Sequence, residues 1–231
     1  MADTGENGVM PAMKQLSLPL SWVFPQDEEN FVISECNEYA VKWLEKWPFK
    51  VRDNFVCLIG EKGAGKTHLA HVWASRMGAE FVNAADIFNR WYDIASTENT
   101  KRYFVLDDVD ELGDDVMLLY MYNTIKEKNA HLLMTAKISP RNWSLKFDDI
   151  KSRMSTASVI EIRKPDEAAV QSIMGKMLLR RGICATTAVT EYIANRIERS
   201  YEAINYWVNK IDATLTQNQK KLTMHSIREM L

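Results

Sequence analysis

Gly60-Glu61-Lys62-Gly63-Ala64-Gly65-Lys66-Thr67 decides how this chain is read. The octapeptide fits G-x-x-x-x-G-K-[ST], the glycine-rich loop that cradles phosphate. Its glycines let the backbone wind tightly and turn several N–H groups toward one anion. Lys66 has the length to reach β- and γ-phosphates, and the Thr67 hydroxyl suits Mg²⁺. A helix opening near His68 would aim its positive dipole end at the same anion. Gly60, Lys62, Gly63, Ala64, Gly65, Lys66, Thr67 and His68 therefore form a candidate site for a nucleoside diphosphate or triphosphate.

The flanks supply the setting such a loop requires. Phe55-Val56-Cys57-Leu58-Ile59 is a short apolar run that predicts a buried strand, and Leu69, Val72, Trp73 and Met77 recur at helical spacing after the loop. About 40 residues further on, Tyr103-Phe104-Val105-Leu106 predicts a second strand ending in Asp107-Asp108. In a phosphate-loop protein a strand-end Asp holds Mg²⁺, the role that fits Asp107. Asp108 beside it can orient or deprotonate an attacking water. Read without that loop, the same Asp-Asp pair is a turn or a helix N-cap.

Composition narrows the class. The 231 residues suffice for one α/β unit and a small appendage, and 46% apolar content supports a sizeable core. A formal net charge of −2 gives no general attraction for nucleic acid, so any DNA contact is expected to be local or through a partner. Cys36, Cys57 and Cys184 are odd in number and widely spaced, which argues against a disulfide framework or zinc site and fits a reducing cytoplasm. No apolar run reaches membrane-spanning length, and the polar N-terminus lacks a signal core.

Along the chain, residues 1–29 read as a flexible tail. Within it, Gln15-Leu16-Ser17-Leu18-Pro19-Leu20 alternates leucines around a proline that enforces extended backbone. Helices are predicted from Asn37 to about Trp47, from Ala84 to Ile94 and from Asp114 to Lys128. Further strands are predicted at Glu80–Val82, His131–Thr135 and Ala157–Ile162. Strands alternating with helices imply a parallel, doubly wound α/β sheet. After Pro165 only helical stripes remain: Ala169 to Leu178 closed by Gly182, Val189 to Ile197, Ala203 to Ile211, and a short helix capped by Thr223. The expected organisation is a tail (1–29), a nucleotide-binding α/β core (30–164) and a helical lid (165–231).

The phosphate loop, Asp107-Asp108, a strand ending in Thr135 and a C-terminal helical lid together resemble an AAA+ ATPase. Asn30-Phe31-Val32-Ile33 with Asn37 resembles the opening of the nucleotide domain of DnaA, the bacterial replication initiator, where this segment lies over the base; as plain residues, Phe31 and Val32 equally suit a core. Ser152-Arg153-Met154 resembles the DnaA segment that carries an arginine finger, a guanidinium that enters a neighbouring subunit's nucleotide site. By position alone Arg153 is also an ordinary surface arginine. Thr135 and Asp108 take catalytic roles in this resemblance, Arg153 one in trans, and Thr67 with Asp107 the metal.

The resemblance spans roughly residues 30–231. DnaA continues into a DNA-binding helix-turn-helix domain; this sequence ends at Leu231, so that module is expected to be absent. Gln15 to Leu20 resembles the peptide that docks on the DNA polymerase III sliding clamp, with Gln15 offering an amide and the leucines apolar anchors. An extended edge strand is its plainer reading. Tail, hexapeptide and initiator-like module together resemble the DnaA-related regulatory inactivators, the Hda family. That resemblance implies ADP or ATP with Mg²⁺ as cofactor, the sliding clamp and DnaA as partners, DNA contacted through the clamp, no membrane, and a cytoplasmic location; a homodimer is left open. It implies restraint of replication initiation by stimulating hydrolysis of DnaA-bound ATP.

Two positions depart from the DnaA pattern. Ala136 and Lys137 stand where an acidic sensor is expected, and Glu202 stands where the lid carries a sensor arginine. Arg199, one turn earlier, could substitute. Both changes argue against efficient hydrolysis by the chain itself. The alternative is an AAA+ ATPase acting as a helicase loader or single-stranded-DNA-associated replication factor.

Overall fold

The computed structural model describes Glu28 and residues 31–51, 53–82, 102–215 and 221–230. The hexapeptide at 15–20, Asn30 and the helix expected over Ala84–Ile94 lie outside the described residues.

A five-stranded, wholly parallel sheet organises the first part of the chain. Its strands are β1 (Phe55–Ile59), β2 (Glu80–Val82), β3 (Tyr103–Leu106), β4 (His131–Ala136) and β5 (Ser158–Glu161), in spatial order 2-3-4-1-5. The short apolar runs read from the sequence coincide with these strands to within a residue or two. β1 lies inside the sheet between β4 and β5, and every residue from Phe55 to Leu58 is buried, the pattern of a parallel strand covered on both faces.

Alternation along the strands builds two cores. Val56 and Leu58 of β1, Val105 of β3, Leu133 of β4 and Ile160 of β5 face one layer, with α1 (Glu38–Leu44) and α2 (Lys66–Met77). Phe55, Cys57, Phe104, Leu106, Leu132 and Met134 face the other, against α3 (Asp115–Glu127) and α4 (Asp148–Met154). α3 presents Met117, Leu118, Met121 and Ile125 to the sheet, all at most 3% exposed. Asp114 caps it, its carboxylate accepting from Met117 N–H.

Beyond Pro165 come α5 (Glu167–Arg180), α6 (Thr187–Ala194), α7 (Tyr201–Thr214) and α8 (Met224–Met230). Asp166, Ser200 and Thr223 cap α5, α7 and α8 through their side-chain oxygens. Gly182 follows α5 at φ 75°, where its N–H and that of Ile183 reach the carbonyls of Leu179 and Leu178. That double closure is a Schellman motif, which favours glycine at the left-handed position. Buried Val170, Met174, Ile193, Ile204, Val208 and Ile211 join the first core, so lid and sheet share one apolar interior.

The sequence pattern predicts only helices in the lid, whereas the structure adds a pair of short strands. Cys184–Ala185 (β6) pairs in parallel with Lys221–Leu222 (β7). Each strand is two residues long, too short to show a period of two.

Candidate functional site

The phosphate loop leaves the C-terminal end of β1 and enters α2, which begins at Lys66, two residues earlier than the sequence pattern indicates. Gly63 and Gly65 hold φ of 77° and 88°, which only glycine adopts without strain. Space is also restricted there. A Cβ on Gly63 would meet Asn205 Nδ2 at 3.2 Å and the Glu202 backbone N at 3.6 Å. The lid helix α7 therefore seats its first turn on the apex of the loop. A Cβ on Gly65 would lie 3.4 Å from the Phe31 ring.

Lys66 is 6% exposed, and its ammonium donates to the carbonyls of Gly60 (3.0 Å) and Glu61 (3.1 Å). A buried ammonium needs such acceptors, and a phosphate oxygen offers equivalent ones.

Asp107 stands one residue past β3 and ties three segments together. Its Oδ2 accepts from Thr67 Oγ1 at 2.8 Å, and its Oδ1 accepts from Thr135 Oγ1 on β4. Thr135, wholly buried, in turn accepts from Asp108 N–H at 2.9 Å. This brings together Thr67, Asp107, Asp108 and Thr135, which the sequence reading selected separately. Asp108 sits at φ 48°, ψ 48°, a conformation Asp tolerates better than most residues. Desolvation, and then the neighbouring Asp107 carboxylate, push the Asp108 carboxyl above the usual range, against a smaller opposing pull from Lys66.

Asp110 Oδ2 accepts from Lys137 N–H at 2.9 Å, whereas its Oδ1 is buried with no hydrogen-bond partner among the described residues. Lys137 Nζ pairs with Glu111, which holds the Glu111 carboxyl below its usual range. No cluster of three or more His, Cys, Asp or Glu side chains among the described residues is arranged to hold a metal ion. The hard oxygen set of Thr67 and Asp107 nevertheless fits Mg²⁺ of the kind that takes its remaining ligands from phosphates and water.

A cavity of about 250 Å³ opens beside the loop. Phe31, Val32, Ala64, Gly65 and His68 line it from the core, and Ile173, Met177, Tyr201, Ile204 and Asn205 from the lid. An apolar slot with a few polar groups suits a nucleoside. Phe31 meets the His68 ring edge-on, centroids 5.2 Å apart. Asn37, 3% exposed, sets the strap that carries Phe31 and Val32: its Nδ2 donates to Val32 O at 2.8 Å and its Oδ1 accepts from Ser34 N–H at 2.9 Å. Lys176 on α5 donates to Ile33 O at 3.0 Å and Arg180 to Phe31 O at 3.3 Å. The strap thus spans loop and lid. Asn205 and the α5 side chains carry no recognisable motif, and only the fold reveals them.

Arg153 lies elsewhere, near the end of α4. Its Nε donates to Asp149 Oδ1 and its Nη1 to Asn123 Oδ1, each at 2.8 Å, and its guanidinium stands 5.4 Å from the Tyr122 ring centroid. Tyr122 stacks flat on Phe55, centroids 4.5 Å apart. Phe55 opens β1 while Gly60 follows its far end, so about 16 Å of strand separates the arginine's platform from the phosphate loop. Arg199, the sensor candidate in the lid, is ion-paired with Glu167 at 2.9 Å on an exposed surface. No helix among the described residues is long and apolar enough to cross a membrane.

Strand order, loop, strand-end acid and lid define a parallel α/β fold that replication initiator domains share. Among solved structures, domain III of the replication initiation protein DnaA from Thermotoga maritima superposes with a TM-score of 0.70 at 18% identity, covering 89% of this chain and 95% of that one. AMPPCP-bound DnaA from Aquifex aeolicus gives 0.64 at 19% identity over 79% of this chain and 63% of that one. No family model matches the chain. Among curated sequences, an uncharacterised protein of Haemophilus influenzae is 23% identical over 230 residues, 94% of this chain and 98% of its own. The chromosomal replication initiator protein DnaA of Flavobacterium psychrophilum is 20% identical over 96% of this chain. The chain spans about half the length of that DnaA, 52%.

Proposed function

We propose that this chain is a nucleotide-binding regulator of replication initiation that activates hydrolysis of ATP held by DnaA. The single observation that carries this reading is the separation of Arg153 from the chain's own phosphate loop. Its guanidinium packs over Tyr122, which stacks on Phe55 at the amino end of β1, and about 16 Å of strand lies between that end and the loop, which places the arginine away from its own nucleotide. It is displayed for another molecule, and it suits the charge that develops on a transferred phosphoryl group. Initiator proteins are the relatives whose fold it shares.

In this reading the chain's own nucleotide, ADP or ATP with Mg²⁺, supplies the phosphate charge that the loop neutralises. Gly60 to Thr67 bind it through backbone N–H groups, and Lys66 exchanges the Gly60 and Glu61 carbonyls for phosphate oxygens. Thr67 and Asp107 hold the metal. Phe31 and Val32 cover the base, and the first turn of α7 closes the loop from above. Glu202 puts a carboxylate where a cation would assist hydrolysis, which favours a site that holds nucleotide over one that consumes it. Gln15 to Leu20 tether the chain to the sliding clamp and raise its concentration near DnaA; DNA is reached through the clamp.

The test is hydrolysis of DnaA-bound ATP in the presence of clamp and DNA, comparing wild type with Arg153→Ala and Gln15→Ala. Both variants should lose stimulation, and undiminished stimulation by both would overturn the proposal. The helicase-loader alternative would instead show nucleotide-dependent assembly on single strands without affinity for the clamp.

A further inference from the structure

We infer that Asn205 of α7 is the residue through which the lid reads the bound nucleotide, its side-chain amide donating to the phosphate chain beside Gly63. The inference rests on the reading of Gly60 to Thr67 as the chain's own nucleotide site. Most polar side chains that line the cavity beside the loop are already engaged. Asn37 uses both ends of its amide on the strap, and Tyr201 Oη donates to Arg163 O at 3.2 Å. Arg180 donates to Phe31 O, and Arg181 to Asp212 and Asn209. Asn205 lines the same cavity, and its amide has no hydrogen-bond partner among the described residues.

The place of that amide names its ligand. Nδ2 lies 3.2 Å from where a Cβ on Gly63 would stand, so it hangs over the apex of the phosphate loop. Around it the lid wall is largely apolar, with Ile173, Met177 and Ile204. An unpaired amide in such a wall is unfavourable, and a ligand oxygen that accepts from it removes that penalty. The backbone N–H groups of the loop and the Asn205 amide then converge on one anion. Tyr201 and Asn205 are one helical turn apart, so both look into the cavity. Ser200 caps this turn by accepting from Ala203 N–H, and Tyr201 ties it to Arg163 O, so the turn is fixed before a ligand enters. An amide is neutral. It gains nothing from the additional charge of a γ-phosphate, and it therefore holds diphosphate and triphosphate alike.

The test is titration calorimetry of the full-length chain with ADP, the non-hydrolysable ATP analogue AMPPCP, pyrophosphate and adenosine. Asn205→Ala should weaken ADP and AMPPCP about tenfold each and leave their ratio within about twofold. Pyrophosphate should weaken by a similar factor, and adenosine should bind as it does to wild type. Asn205→Leu fills nearly the same volume without a donor and should lose as much as Asn205→Ala. Without nucleotide both variants should melt within about 1 °C of wild type, whereas ADP should raise their melting points less. Unchanged ADP affinity in Asn205→Ala, full affinity in Asn205→Leu, or a loss seen with adenosine and not with pyrophosphate would overturn the inference. Lys66→Ala in the same titration separates the two levels. If it abolishes ADP binding while Asn205→Ala binds as wild type, only the role of Asn205 fails; if it binds ADP as wild type does, the reading of the loop fails and the inference with it.

Discussion

Thr67 and Asp107 are 40 residues apart in sequence and 2.8 Å apart in space. The hydroxyl belongs to the first turn of α2 and the carboxylate to the end of β3, so the hydrogen bond joins the phosphate loop to the strand that carries the acids. Asp107→Ala should cost about 2 kcal/mol, because it leaves Thr67 and the fully buried Thr135 without their acceptor. Urea denaturation measures that loss. In the same variant nucleotide binding should become insensitive to Mg²⁺, which titration calorimetry with and without the ion would show.

An interior strand sets the scale of the core. Leu58 is 0% exposed on β1, whereas Val159 on the neighbouring β5 is 42% exposed. Leu58→Ala should destabilise by about 3 kcal/mol through lost transfer energy and the cavity left behind. Val159→Ala should change stability by less than about 0.5 kcal/mol. The urea midpoint should fall for the first and hold for the second, with the slope unchanged in both.

Asp108 gives a pH signature. Its carboxyl is raised mainly by desolvation, so its favourable contribution is full below its unfolded pKa and is lost as pH rises through the higher folded value. At pH 7.5 the ionised group therefore weighs against the fold. Asp108→Asn should melt above wild type there, and the difference should shrink at about pH 4, near the ordinary Asp value. Asn and Asp both adopt a φ of 48°, so backbone strain is not what changes. A difference between the melting curves that grows toward low pH would contradict this.

Much of this site was legible in the chain because it is local. The loop announces itself by residue identity, and Asp107 by its place at the end of an apolar run. Buried strands such as Phe55–Ile59 were legible because a run too short for a helix and flanked by breakers leaves little choice. Tertiary partners were not. Tyr122 and Asn123 read as ordinary helix residues, and only the packing of α3 against α4 brings them to Arg153. Helix α4 itself went unread, since its seven residues, Asp148–Met154, include four charged ones and only two that are buried. Asn205 and Asn37 are similarly silent, because a lone polar residue carries no period. Gln15 to Leu20 resemble a clamp-docking peptide by residue identity alone, and their role as a tether belongs to the proposal.

Glu202 supplies a test of the lid. A Cβ on Gly63 would meet its backbone N at 3.6 Å, so the first turn of α7 sits against the loop. Glu202→Arg should shift the ratio of ATP to ADP affinity toward ATP by about tenfold, or 1.4 kcal/mol. Competition binding with the two nucleotides measures the ratio. An unchanged ratio would remove Glu202 from the account of nucleotide preference.

The central claim is that Arg153 acts on a nucleotide held by DnaA and not on its own. Radiolabelled ATP is placed on DnaA alone, while this chain carries a non-hydrolysable analogue, and release of labelled phosphate is followed with clamp and DNA present. Wild type should accelerate release although its own nucleotide cannot turn over, and Arg153→Ala should return it to the rate of DnaA alone. Acceleration that persists in Arg153→Ala, or that disappears whenever this chain's own nucleotide is non-hydrolysable, would contradict the account.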